Sequence, residues 1–180
     1  MRTLTCEPTS EVRGDVLLSL LTNLRADNMK PYLKQFSLDD IHANEWYPTK
    51  NFLDMLNELS RNPNLTPNYV AIGLNVPETA YMPPELENAS FADVLEGWDN
   101  HYQSNHRHAD IGHKIAEKVH DQHYKITMQS IYPDDMEYGV LYGFAKRFLP
   151  SGTQFTVWYD EDEPRMDQGG TQTVIHVSWH

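Results

Sequence analysis

The spacing of apolar residues changes period near Gly112, and that change sets the order in which this chain can build its layers. Before it, hydrophobic side chains recur at three and four residue steps; after it they alternate, so helices come first and a sheet second. Val16, Leu17, Leu20, Leu21 and Leu24 predict a core-facing helix with Asp15 beside its start. Ser37 with Asp40 three residues on predicts a short capped helix through His42, broken by Trp46-Tyr47-Pro48. Thr49 is expected to cap a helix presenting Phe52, Leu53, Leu56 and Leu59 and ending at the Asn62-Pro63-Asn64 turn. Thr66-Pro67 predicts a short helix over Tyr69 to Leu74, and Pro77, Pro83 and Pro84 turn the next stretch into a loop. Ser90 caps a helix carrying Phe91, Val94, Leu95, Trp98 and Tyr102 to about His106.

Beyond Gly112, Ile115, Glu117 and Val119 alternate, Asp121-Gln122 supplies a turn, and Tyr124, Ile126 and Met128 alternate again, which predicts a β-hairpin. Asp134 and Asp135 open a helix through Phe148, with Met136, Val140, Phe144 and Phe148 on one face and Pro150-Ser151-Gly152 as its stop. Phe155, Val157 and Tyr159, then Ile175, Val177 and Trp179, predict a last pair of strands. The fold class is therefore α+β: N-terminal helices packed on a C-terminal antiparallel sheet, with a helix between two hairpin-like strand pairs. A chain of 180 residues suits one domain, read as residues 12–180 behind an N-terminal arm of residues 1–11.

Charge narrows the partners. Fourteen Lys and Arg stand against 26 Asp and Glu, a formal net charge of −12, which argues against a nucleic-acid backbone or an anionic membrane surface. The single cysteine, Cys6, allows neither an internal disulfide nor a cysteine zinc cage. The opening segment carries Glu7 and Glu11 and no apolar run, and Val16–Leu24 is far short of the roughly 20 residues of a spanning helix, so a soluble cytoplasmic protein is expected.

Six of the nine histidines fall between positions 101 and 123. His106 and His108 at a helix end and His113 at a strand start are the candidate metal ligands, since imidazole suits transition metals and haem iron. Against that, an i, i+2 pair diverges on a helix and no HExxH is present, so solvated histidines explain the cluster as simply. His120 and His123 are expected in water at a hairpin tip. No GxSxG, GxGxxG or P-loop pattern marks a catalytic or phosphate site, although unmotifed Ser, His and Asp leave a hydrolase open. The acidic run at 160–163 reads as a solvated loop, and Asp134, Asp135 and Glu137 as charges suited to a helix N-terminus. Trp46, Tyr47, Trp98, Tyr102, Tyr132, Tyr138, Tyr142 and Phe144 are spread over the elements that would surround one interior, each Tyr and Trp bringing a polar tip to an apolar wall.

The order of the pieces WYP at 46–48, YQSNHR at 102–107, DIG at 110–112, YP at 132–133, EYGVLYGFAKRFLP at 137–150 and HVSW at 176–179 resembles the superfamily that groups 4-vinyl-reductase domains, haem nitric-oxide-binding domains and TRAPP subunits. The resemblance runs from about Val12 to Trp179. It implies an α+β ligand-sensing module without catalysis, a ligand held between helices and sheet, a signalling partner protein and frequent homodimers. The cysteines that 4-vinyl-reductase members carry near the C-terminus are absent from residues 164–179, and with them that metal site. Haem-binding members use a proximal histidine and a Tyr-x-Ser-x-Arg element; here Tyr102 and Ser104 match, but position 106 is His and the arginine comes one place later, at Arg107. On a helix that offset swings the guanidinium by about 100°.

The reading is thus a non-catalytic sensory or regulatory domain binding a small, largely apolar ligand. Trp46, Tyr47, Trp98, Tyr102, His106, Arg107, Tyr132 and Tyr138 are its candidate ligand-binding residues, with Tyr132-Pro133 bordering the mouth. The alternatives are a haem or transition-metal protein for gas or redox sensing through histidines of the 101–113 segment, and a pure protein-interaction subunit with a basic partner.

Overall fold

The computed structural model describes residues 2–180 apart from 23, 25, 63–66 and 87, with the backbone alone at 26–29 and 85. Six helices and two antiparallel sheets are formed by these residues. The first sheet is small: β1 (Glu11–Arg13) pairs on one side with β2 (Trp46–Pro48) and on the other with β3 (His106–Arg107). It is invisible to periodicity, because strands of two and three residues are shorter than any repeat. Its consequence is large, since it ties the start of the chain to the end of a central helix.

Around it pack α1 (Gly14–Thr22), α2 (Ala26–Gln35) and α3 (Thr49–Arg61). Leu17, Leu20 and Leu24 are buried and Val16 and Leu21 partly so, the stripe that the spacing predicts. Phe52, Leu53, Leu56 and Leu59 are likewise buried. Two expectations need correction. The segment from Ser37 to His42 is turn and bend rather than helix, and the helix lies just before it, over α2 with Pro31 inside. Thr49 is the first helical residue, after Pro48, and its hydroxyl accepts a hydrogen bond from Ser10 at 2.9 Å instead of capping.

The Pro63-Asn64 turn and the Thr66 cap lie outside the described residues; α4 (Tyr69–Thr79) is capped by Asn68, whose side chain accepts from Ala71 N. This helix continues through Pro77, five residues past the predicted end at Leu74. α5 (Phe91–Ser104) has Ser90 and Asp93 in a reciprocal capping box and buries Phe91, Val94, Leu95, Trp98 and Tyr102, as its spacing predicts.

The second sheet runs in the order β4-β5-β7-β6, from β4 (Lys114–His120), β5 (His123–Met128), β6 (Phe155–Tyr159) and β7 (Thr173–Trp179). α6 (Asp134–Phe148) joins its two strand pairs, so the α+β architecture and the helix between hairpins are as predicted. The parity of β4 differs from its appearance in the sequence. Ile115 and Val119 face solvent, about half exposed, while Lys114 points inward and is buried.

α6 also packs along α4, through Gly73, Gly139 and Gly143. A methyl added at any of the three would overlap a backbone carbonyl of the opposite helix: Met136, Val70 and Leu74 respectively. The core forms two clusters. One joins α1, α3 and the N-terminal segment; the other joins α5, α6 and the inner face of the larger sheet.

Candidate ligand site

Between the two clusters lies a cavity of about 80 Å³. Its walls are apolar: Val16 and Leu20 from α1, Val76 and Pro77 from α4, Trp98 from α5, and Val140 and Phe144 from α6. Its polar end is made by His101, Tyr102, His106, Lys114, Tyr132 and Glu137.

These polar groups are positioned from several elements at once. Gly112 takes φ +75°, and a Cβ there would overlap the Gln129 carbonyl, so the chain can turn into β4 against the end of β5 only with glycine at this point. The turn is held by Tyr102 and Gln103, which donate to the carbonyls of Ile111 at 2.9 Å and Gly112 at 2.7 Å. Lys114 N donates to Asp99 Oδ1 at 2.8 Å, and the side chain enters the interior. There Nζ lies 2.6 Å from Glu137 Oε2, 4.1 Å from the centre of the Tyr102 ring and 4.8 Å from that of Trp98. Ser130 Oγ donates to the other carboxylate oxygen of Glu137 at 2.5 Å. Burial pushes the Lys114 amine down, and Glu137 pushes it back up in part.

Tautomers follow from the partners. His106 Nδ1 meets the carbonyl of Tyr102 at 2.9 Å, so it carries the hydrogen, and Nε2 accepts from the Tyr132 hydroxyl at 2.8 Å. Burial holds this imidazole neutral, down to about 4, against the bond to Tyr102 that favours its charged form. The hydroxyls of Tyr102 and Tyr132 are pushed up by burial, so both stay protonated. His101 Nε2 accepts from Asn105 Nδ2 at 3.3 Å, whereas its Nδ1 is buried and has no partner.

Four of the residues singled out from the sequence therefore meet at the cavity: Trp98, Tyr102, His106 and Tyr132. The other four lie elsewhere. Trp46 stacks beneath the Arg107 guanidinium at 4.5 Å on the small sheet, where Arg107 Nε donates to Glu11 at 2.5 Å. Tyr47 donates to Glu45 and accepts from His42 N. Tyr138 donates to the carbonyl of Val157, under the larger sheet. The three candidate metal ligands are in different surroundings: His106 is buried, His108 is exposed with φ +66°, and exposed His113 meets Asp99 at 3.0 Å, which pushes its imidazole up. His106 and Arg107 form strand β3 rather than a helix end. Among the described residues no group of three or more His, Cys, Asp and Glu is arranged to hold a metal ion.

Sequence reasoning misses Lys114, Glu137 and His101 as site residues. Glu137 reads as a helix N-terminal charge, although it lies one turn before buried Leu141, and Lys114 sits on the parity opposite the more apolar face of its strand. A second feature has no signal in the spacing. His120 Nε2 and His123 Nδ1 are 3.2 Å apart, His123 Nε2 and His176 Nδ1 3.0 Å, and His176 Nε2 lies 3.1 Å from Asp160, with the Trp158 ring stacked on His176. His120 is exposed as expected of a hairpin tip, but His123 is half-buried in this ladder on the outer face of the sheet.

Solved structures share this arrangement of a helical layer packed over an antiparallel sheet. One is an oxygen-binding H-NOX domain described as related to soluble guanylate cyclases, with a TM-score of 0.68, 17% identity and 92% of each chain covered. Another is a mutant H-NOX of T. Tengcongensis, with a TM-score of 0.68, 16% identity and coverage of 93% of this chain and 97% of that one. A third, described by its haem redox potential and porphyrin distortion, gives 0.68, 16%, 92% and 99%. The chain has an H-NOX-like fold. No protein-family model and no curated protein matches the sequence. The haem nitric-oxide-binding part of the sequence resemblance is the part these structures support; they give none to its 4-vinyl-reductase or TRAPP part.

The residues present do not fit a porphyrin. A cavity of about 80 Å³ is far below the roughly 300–1,000 Å³ of sites for drug-sized ligands. The Lys114–Glu137 pair fills its polar end, both nitrogens of His106 are engaged, and no arginine is among its lining residues to meet a propionate. Of the element expected to do so, Tyr102 lines the cavity, Ser104 bonds to the carbonyl of His101 on the surface, and Arg107 faces Glu11.

Proposed function

We propose that this chain is a sensory domain of the H-NOX fold whose cavity takes a small guest and reports its presence to a partner protein. The observation that carries this reading is the cavity itself, apolar along α1, α4 and α6 and polar at the Lys114 end, lying between the helices and β4 where a guest would touch both. Guests of this size alter stability through few contacts, so the coupling would run through α5 and α6, which belong to both layers. Native mass spectrometry of the chain purified from its host tests it: a small molecule should be bound, and Val140→Trp, which fills the cavity, should remove it. A chain that carries nothing and melts identically in both forms would count against it.

Haem-dependent gas sensing is the second reading, and the solved neighbours favour it over a generic apolar guest, since several are described as haem or oxygen-binding proteins. Within the site His101 is the histidine with an unpartnered ring nitrogen, and it would serve iron only in the tautomer that moves its hydrogen from Nδ1 to Nε2 and gives up the Asn105 bond. Haem reconstitution separates the two. On the first reading no Soret band survives desalting; a stoichiometric band abolished by His101→Ala would establish the second.

A further inference from the structure

Lys114 is the buried member of the chain's seven lysines, and nothing in the proposed sensing role requires an amine at that place. An ammonium enclosed by protein is costly even when paired, and a methionine of similar shape would pack between Trp98 and Tyr102 without that cost. The group must be weighed by what it could do. It borders a cavity with one carboxylate at 2.6 Å, two aromatic faces, and an imidazole N–H on the same lining with nothing to donate to. A buried, desolvated lysine beside a proton acceptor is the arrangement that serves imine chemistry.

We propose that Lys114 captures a small aldehyde as an imine, with Glu137 as its proton partner and counter-ion. This rests on the cavity being the ligand site and names the chemical class of its guest. The ammonium first passes a proton to the Glu137 carboxylate. The free amine nitrogen then attacks the carbonyl carbon, and a proton moves from nitrogen to oxygen to give the carbinolamine. Glu137 returns its proton to that hydroxyl, the C–O bond breaks, and water leaves. The sum is R–NH₃⁺ + O=CH–R′ → R–NH⁺=CH–R′ + H₂O, balanced in atoms and charge with no oxidant or reductant.

Two features favour this chemistry over simple packing. The product is a cation where a cation already stood, so the pairing with Glu137 and the contacts with both rings persist, and no new charge is created in the interior. The unpartnered Nδ1 of His101 supplies a donor for the carbonyl oxygen before attack, while His106, Tyr102 and Tyr132, the other titratable groups at this end, already have partners. A volume of about 80 Å³ limits the guest to a few heavy atoms, since a cavity of about 150 Å³ holds benzene.

The test is reductive trapping on the full chain. Propanal with cyanoborohydride at neutral pH, followed by peptide mapping, should place a propyl group on Lys114 severalfold faster than on Lys30, Lys34, Lys50, Lys118, Lys125 or Lys146, the advantage of a buried amine with a carboxylate beside it to take its proton. A naphthaldehyde should reach the surface lysines and leave Lys114 alone. Lys114 left unmodified by propanal, modified only at the surface rate, or modified by the bulky aldehyde would each overturn the proposal. Lys114→Arg keeps the cation without the nucleophile and should lose the internal adduct; if it does not fold, the map of the natural chain decides. A chain that binds a small molecule lost on Val140→Trp, yet is never trapped at Lys114, would remove imine capture while leaving the sensing role standing.

Discussion

His106 is where burial and proton binding meet most directly. Its imidazole is held neutral down to about 4, while the unfolded chain titrates near 6.5. Between those values the unfolded chain binds a proton that the folded chain refuses, so stability is full above pH 6.5 and falls as pH drops toward 4. The expected loss is about 3 kcal/mol, and His101, lowered by burial, adds in the same direction. Urea unfolding at pH 7 and pH 4.5 should show this difference reduced in His106→Gln. The importance of Tyr102, Trp98, His106 and Tyr132 is legible in the sequence because large aromatics with polar tips cluster on core-facing positions. Lys114 and Glu137 are not legible, because a charged residue on an amphipathic element defaults to solvent and only the three-dimensional pairing makes its burial tolerable.

The same asymmetry governs the elements. Helices whose apolar stripe spans three turns or more, α3, α5 and α6, are readable, as are the strands with clean alternation. The three strands of the small sheet are not, since each is held by pairing across residues 11–107 rather than by a pattern of its own. Pro77 misleads in the other direction: a proline near the last turn removes one donor, which the helix tolerates. The α4–α6 contact gives a sharp mutational contrast. Gly73→Ala or Gly139→Ala must push the helices apart, and each should cost about 2–3 kcal/mol, in the range of overpacked cores. Gly97→Ala, in α5, meets nothing and removes the entropic penalty of a helical glycine, so it should stabilise by about 0.5–1 kcal/mol. Chemical denaturation of the three variants checks both signs.

Across the full chain, a formal charge of −12 on 180 residues means that folding concentrates like charge. Screening should therefore raise the melting temperature between about 10 mM and 200 mM salt, as the Debye length falls from roughly 30 Å to under 10 Å. A flat or falling response would show that the exposed ion pairs, such as Lys118 with Asp121, outweigh the repulsion. One place on this acidic surface inverts the sign. The outer face of the larger sheet carries three imidazoles in line between two oxygen acceptors, the Asp121 carbonyl at 3.1 Å from His120 Nδ1 and the Asp160 carboxylate beyond His176. Four links need four hydrogens, and three uncharged rings bring only three. The fully joined row is thus a cation that shares one spare hydrogen among three rings, a local positive charge set between two oxygen acceptors on an otherwise acidic surface.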